Sequence, residues 1–178
     1  KAYKTMKIIF ITGPSGSGKT TISKYISKKL NNSYLLSTDN YYKTGLISKI
    51  LSFIVKSYFD RIISNRSNLI KNDINYILKN KSINHYYKYD FINKIVEKKH
   101  KKVANIKFLV VEGIFSLEIT DFFSENQYTL VRLKEKKKIC VKRISKRDIA
   151  ERGRSKNFKL NEFNNGWKIY KEKEKKYK

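Results

Sequence analysis

Apolar residues recur along the chain in two rhythms, and their alternation marks out the elements. Residues 7–12, Lys-Ile-Ile-Phe-Ile-Thr, are a short apolar, β-branched run of the kind that becomes a buried strand. Residues 21–30 change to helical spacing, with Ile22, Ile26 and Leu30 about one turn apart. Residues 34–37 read as a second strand, followed by a polar and aromatic loop over 38–43. Residues 46–59 are apolar at mixed helical spacing. Leu69, Ile70, Ile74, Ile77 and Leu78 predict a helix over 69–78. Residues 83–95 alternate aromatic and polar side chains, which predicts a β-hairpin without a strong turn dipeptide. The clearest core strand is 106–111, because Phe108-Leu109-Val110-Val111 is apolar without interruption, as in a parallel sheet covered on both faces. A helix is expected over 114–123, a strand over 128–133, and a basic helix over 137–149 with Ile139, Ile144 and Ile149 inward. Glu151-Arg152-Gly153-Arg154 interrupts it. A helical pattern resumes over 160–170, and the tail beyond is charge alone. Strands alternating with helices imply an α/β fold, a parallel sheet wrapped by helices. Ligands of such sheets bind at the carboxyl ends of the strands.

Composition narrows this picture in three ways. The 178 residues and 40% hydrophobic content suit one domain, 1–178, with a core that needs no staples. Cys140 is the single cysteine, which excludes an internal disulfide. With no visible signal or membrane-spanning run, that points to a cytoplasmic protein. The chain begins at Lys1 without a methionine, so an upstream segment is left open. Charge is extreme: 41 Lys and Arg against 15 Asp and Glu give +26. The excess is mostly lysine spread through the chain, with clusters at 98–102, 134–138 and 171–178. A solvated basic surface is the default reading, and nucleic acid is not expected as a partner. Anionic substrates would still be drawn to it.

Candidate chemistry enters at residues 13–20. Gly13-Pro14-Ser15-Gly16-Ser17-Gly18-Lys19-Thr20 is a complete G-x-x-x-x-G-K-[ST] loop between a predicted strand and a predicted helix. Glycines let backbone N–H groups turn toward phosphate oxygens, and the helix N-terminus adds partial positive charge. Lys19 is placed to reach the β- and γ-phosphates and Thr20 to bind Mg²⁺, with Thr21 next in line. The expected ligands are therefore ATP and Mg²⁺. Asp39 follows the second strand. It reads either as a catalytic base and Mg²⁺ ligand or as an N-cap or turn aspartate. Glu112 ends the strongest strand, where an acidic residue can hold Mg²⁺ or its waters. Arg143, Arg147, Arg152 and Arg154 concentrate a residue that is otherwise scarce here. Gly153 between the last two suggests a mobile, arginine-rich lid whose guanidinium groups stabilise charge in phosphoryl transfer.

Taken in order, these motifs resemble the uridine–cytidine kinase family, in the wider uridine kinase and phosphoribulokinase group. The matching strings are Gly13 to Thr20, Ser37-Thr38-Asp39-Asn40-Tyr41-Tyr42-Lys43, Phe59-Asp60, Tyr89-Asp90-Phe91, Val110-Val111-Glu112-Gly113-Ile114 and Arg147-Asp148-Ile149-Ala150-Glu151-Arg152-Gly153-Arg154. The resemblance implies a P-loop NTPase fold with a small hairpin insertion at the acceptor site. It implies ATP-dependent phosphorylation of a nucleoside 5′-hydroxyl, uridine or cytidine. Asp39 matches the base, Thr20 and Glu112 match positions around Mg²⁺, and Arg147, Arg152 and Arg154 match the lid. Tyr42, Asp60 and Tyr89 match the nucleoside site, with Asp60 facing the ribose. It also makes a homo-oligomer an expectation. The chain departs from the family in two acceptor segments. Arg61-Ile62 stands where a His-Pro is usual, and Lys94 stands near the place of a base-reading histidine, so Lys94 is a candidate acceptor contact. It also ends before the family's last strand, so the domain is expected to be shortened at its ends. Two other readings stay open: a related kinase with another small acceptor, and a non-catalytic nucleotide-binding domain.

Overall fold

The computed structural model describes residues 6–151 and 160–177, with the side chains of 148–151 left aside. Four parallel strands form the sheet: β1 (Lys7–Thr12), β2 (Ser33–Ser37), β5 (Phe108–Glu112) and β6 (Tyr128–Arg132). Their order is β2-β5-β1-β6. Register aligns Ile11 of β1 with Glu112 of β5, and Glu112 with Ser37 of β2. The three strand ends therefore share one edge. Phosphate loop, Asp39 turn and Glu112 all emerge there.

The core explains which helices press on the sheet. In α3 (Ser67–Asn80), Ile70, Ile74 and Ile77 are fully buried at i, i+4, i+7 spacing. They pack with Ile8, Phe10, Leu36, Leu109 and Val111. A second layer joins α5 (Lys137–Glu151) to α6 (Leu160–Lys176) through Cys140, Ile144, Phe163 and Trp167. Cys140, not Ile139, points inward; Ile139 is exposed because one residue of rotation separates them. On α1 (Lys19–Lys29) the buried positions are Lys19 and Ser23, while Ile22 is exposed. The Ile22–Ile26–Leu30 stripe is thus not the inward face.

Several expected boundaries move. The hairpin runs from β3 (Ile83–Asp90) to β4 (Ile95–Val103), well past residue 95. Its second strand contains Lys98, Lys99, Lys101 and Lys102, and solvated lysines hide a strand from an apolar count. Its turn needs no Asn-Gly pair. Asp90 Oδ1 accepts the Ile92 and Asn93 N–H groups at 2.8 and 3.0 Å, and Lys94 adopts φ 55°. The helix expected over 114–123 shrinks to α4 (Ser116–Ile119) and a 3-10 turn at Thr120–Phe122. The helix expected over 46–59 stops as α2 (Leu46–Ile54), and Tyr58–Asp60 forms a separate turn. The charged tail does not stay free of structure: α6 continues to Lys176. The lid residues Arg152 and Arg154 lie outside the described residues.

Gly113 is the point where β5 meets the Asp39 turn. Its φ is +138°, which disfavours any side chain. A Cβ there would overlap Thr38 Oγ1 and come within 3.2 Å of Asp39 Oδ1. Gly113→Ala is therefore expected to cost more than about 2 kcal/mol and to displace the turn. Denaturant melts and turnover, measured together, check it.

Candidate active site

The phosphate loop is built by close approach. Gly16 and Gly18 have φ 80° and 94°, a conformation that lets the chain curl and then enter α1 directly. A Cβ on Gly16 would sit 2.6 Å from the Cys140 carbonyl oxygen, so α5 seals the back of the loop. Arg143 Nη1 donates to the Gly16 carbonyl at 3.3 Å and pairs with Glu135 at 3.1 Å. Inside the curl, Lys19 is buried and its Nζ donates to the Pro14 carbonyl at 3.0 Å. Ser17 Oγ is buried without a hydrogen-bond partner among the described residues. A phosphate oxygen would satisfy that donor, so the cradle fits a nucleotide's phosphates. Thr21 is exposed on the first turn of α1.

Three oxygen donors face the loop. Thr20 Oγ1 donates to Glu112 Oε2 at 3.3 Å. Burial first, then the charge of Asp39, pushes the Glu112 carboxyl above its ordinary value, while Ser37, Lys19 and Thr20 pull it back. Burial pulls the Lys19 ammonium down, and Asp39 and Glu112 oppose that. Two carboxylates around one lysine leave room for a second cation, and a hydroxyl with two carboxylates is a hard donor set suited to Mg²⁺. Among the described residues no group of three or more His, Cys, Asp or Glu gathers to hold a metal, so the set here is two carboxylates and a hydroxyl. Arg147 is half-buried and electrostatically coupled to Lys19.

Asp39 lies within the 3-10 turn Thr38–Tyr41, whose N-cap is Ser37. The N-cap alternative therefore falls. The turn is held by other groups. Asn65 Nδ2 donates to the Thr38 carbonyl at 2.8 Å, Tyr41 OH to Asp73 Oδ2 at 2.8 Å, and the Tyr89 N–H to Asn40 Oδ1 at 3.1 Å. These three bonds of its neighbours hold the turn on either side of Asp39.

Beyond Asp39 the surroundings are aromatic. Tyr42 and Tyr89 are both buried, with ring centroids 4.9 Å apart. Phe115 meets Tyr42 edge-on at 5.8 Å, and Tyr42 OH donates to the Phe59 carbonyl at 3.1 Å. Asp60 follows, facing α6. Gly166 sits so close that a Cβ would lie 2.8 Å from the Asp60 carboxylate. Lys173 Nζ donates to the Asp60 carbonyl at 3.1 Å and pairs with Glu118. A narrow cleft lined by Ser15, Asp60, Ile114, Gly166, Tyr170 and Lys173 joins this corner to the phosphate loop. The roof from α6 is the part of the site that sequence reasoning missed. A lone glycine inside a helical pattern was the available signal. A larger depression between α1 and β2, lined by Lys24, Lys28 and Asn32, lies at the opposite ends of the strands. Lys94 stands exposed in the turn of the hairpin, with φ 55°.

Burial pushes the Asp60 carboxyl from an ordinary 3.8 up to about 6, with Asp39 and Glu162 adding to it and Lys173 opposing. A carboxyl whose folded pKa is raised gives stability below its unfolded pKa that is lost as pH rises through the folded one. Asp60→Asn mimics the protonated form. It is expected to match the wild type near pH 4 and to melt higher above pH 6, by at most about 3 kcal/mol. Thermal melts across that range check the sign.

Fold and site together define a P-loop kinase: a glycine loop shaped for phosphate, a carboxylate pair and an aromatic pocket at the carboxyl ends of a parallel sheet. Residues 9–163 match the AAA domain, a P-loop family. The chain belongs to the uridine kinase family. It is 34% identical over 154 residues to a uridine kinase of Borrelia duttonii (strain Ly), covering 84% of this chain and 71% of that one. It is 35% identical over 153 residues to a uridine kinase of Borreliella burgdorferi (strain ZS7), covering 84% and 70%. Among solved structures, a protein assigned as a fructose transport system kinase of Silicibacter sp. TM1040 superposes with TM-score 0.72 at 13% identity, over 94% of this chain and 85% of that one. A possible uridine kinase of Bacillus stearothermophilus gives TM-score 0.61 at 15% identity, over 96% and 83%. These two likenesses speak for the fold alone. The chain is an enzyme of the phosphotransferase class with an alcohol acceptor. No helix among the described residues is long and apolar enough to cross a membrane.

Proposed function

We propose that this chain transfers the γ-phosphate of ATP to the 5′-hydroxyl of uridine or cytidine. One observation carries the reading: the turn after β2 sets Asp39 beside the Glu112–Gly113 strand end and then leads directly into the Tyr42–Tyr89–Phe115 cluster.

In this reading the loop N–H groups, Ser17 and Lys19 hold the triphosphate. Thr20, Glu112 and Asp39 would hold Mg²⁺, which neutralises phosphate charge when bound. Asp39 accepts the proton of the 5′-hydroxyl as that oxygen forms its bond to the γ-phosphorus. The bond to the bridging oxygen breaks and ADP leaves with the electron pair. Lys19 and Arg147 stabilise the charge spread over the equatorial oxygens, with Arg152 and Arg154 assigned to the same task from the lid. Tyr42 and Tyr89 offer ring faces to the base, and Asp60 is the acceptor for the ribose hydroxyls. Catalysis is then mostly positioning and electrostatics.

With Lys94 exposed in the hairpin turn, base binding in this reading rests mainly on stacking against the aromatic rings. Discrimination between uridine and cytidine is expected to stay within about tenfold in kcat/KM, since strong rejection needs a polar contact that only one base satisfies. ADP release with ATP and Mg²⁺, tested with uridine, cytidine, adenosine and a no-acceptor blank, decides the proposal. Release that depends on a pyrimidine nucleoside supports it. Release above the blank with none of them, in protein that binds ATP, overturns it.

A further inference from the structure

Helix α2 is built inside out. A surface helix normally turns its apolar stripe to the core and its polar residues to water. In Leu46–Ile54 the buried position is Ser48, whose Oγ donates to the Lys43 carbonyl at 2.9 Å. Leu46, Ile47, Ile50, Phe53 and Ile54 face solvent, with Phe53 90% and Ile47 75% exposed. At 100° per residue these five positions fall within about a third of the helix circumference. They form a continuous apolar stripe rather than scattered exposures, and such a stripe marks an interaction surface.

The charge around the stripe indicates what covers it. From residue 40 to residue 59 the sequence holds no Asp or Glu, and its charges are Lys43, Lys49 and Lys56. All three lysines are exposed. The whole chain carries +26. A second copy would bring like charges together across a patch of five side chains, against the roughly 20–30 residues a side of a stable protein interface. An anionic lipid surface meets both features at once. The apolar side chains enter the acyl boundary while the lysines stay at the headgroups.

We propose that α2 is a membrane-surface anchor for anionic lipid, which docks this kinase peripherally without spanning the bilayer. The docked edge carries the acceptor loop, because α2 begins just after Tyr42 and packs on the Tyr58–Asp60 turn. The proposal is independent of which acceptor is phosphorylated.

The test uses the whole chain and sedimentation with vesicles of phosphatidylcholine alone or mixed with phosphatidylglycerol. The variant is Ile47→Ser/Phe53→Ser/Ile54→Ser, which leaves every charge in place and, by circular dichroism, is expected to keep the fold. Wild type should sediment with the mixed vesicles and much less with phosphatidylcholine alone. The variant should lose at least about tenfold in partitioning, because three apolar side chains leave the acyl boundary. Two results overturn the proposal. One is failure of wild type to bind the mixed vesicles, alone or together with a dimer in ultracentrifugation that the variant dissolves, which assigns the stripe to a second copy. The other is equal binding by the folded variant, which assigns binding to surface lysines elsewhere.

Discussion

Replacing Asp39 by Asn is expected to lower nucleoside-dependent turnover by about 10² to 10⁴, with ATP binding retained. The substitution keeps the size of the side chain and removes its ability to take a proton. The turn should survive. It is held by Asn65 on the Thr38 carbonyl, by Tyr41 on Asp73 and by the Tyr89 N–H on Asn40, none of which involves the Asp39 carboxylate. The loop should survive too, since Lys19 is anchored on Pro14. Loss should therefore fall on kcat, with KM for ATP close to wild type. Steady-state kinetics and a nucleotide-binding titration check this together. A variant that turns over normally would remove Asp39 as the base. A variant that no longer binds ATP would make it a structural partner of Lys19.

Much of this site could be read before the fold was known, and for a physical reason. A phosphate cradle depends on backbone shape, so it writes itself as closely spaced glycines beside one lysine. Strands buried on both faces write themselves as uninterrupted apolar runs, as Phe108 to Val111 do. Carboxylates at strand ends follow from those two. What escaped was long-range or inverted. Gly166 and Lys173 touch Asp60 from more than 100 residues away, and no local rhythm signals that meeting. The strand β4 carries its lysines on a protruding ribbon, so its alternation is masked by charge. Lys94, in register with an acceptor contact by counting, is carried to the tip by the Asp90 turn. The stripe of α2 has the right period but the wrong side, and periodicity alone cannot say which face is buried.

Lys19→Met should be the more damaging change. It is expected to lower kcat/KM by at least about 10³ and to weaken ATP as well, which separates it from Asp39→Asn. Methionine keeps most of the buried volume, so the packing of the curl is little disturbed. What goes is the ammonium between Asp39 and Glu112. In the free enzyme that charge offsets the repulsion between the two carboxylates, and in the loaded enzyme it would meet the β- and γ-phosphates. Its removal also has a pH signature. Glu112 is already held above its ordinary value by burial and by Asp39, and losing Lys19 raises it further. A raised carboxyl costs stability as pH climbs through its folded value. Burial of the ammonium goes uncompensated in acid, where both carboxylates are protonated, so the melting point of the variant relative to wild type should be highest in acid and fall as pH climbs to neutral. Melting curves over that range, read beside the kinetics, distinguish loss of a catalytic charge from simple unfolding. A variant equally unstable at every pH would place the defect in packing and remove the electrostatic account of the loop.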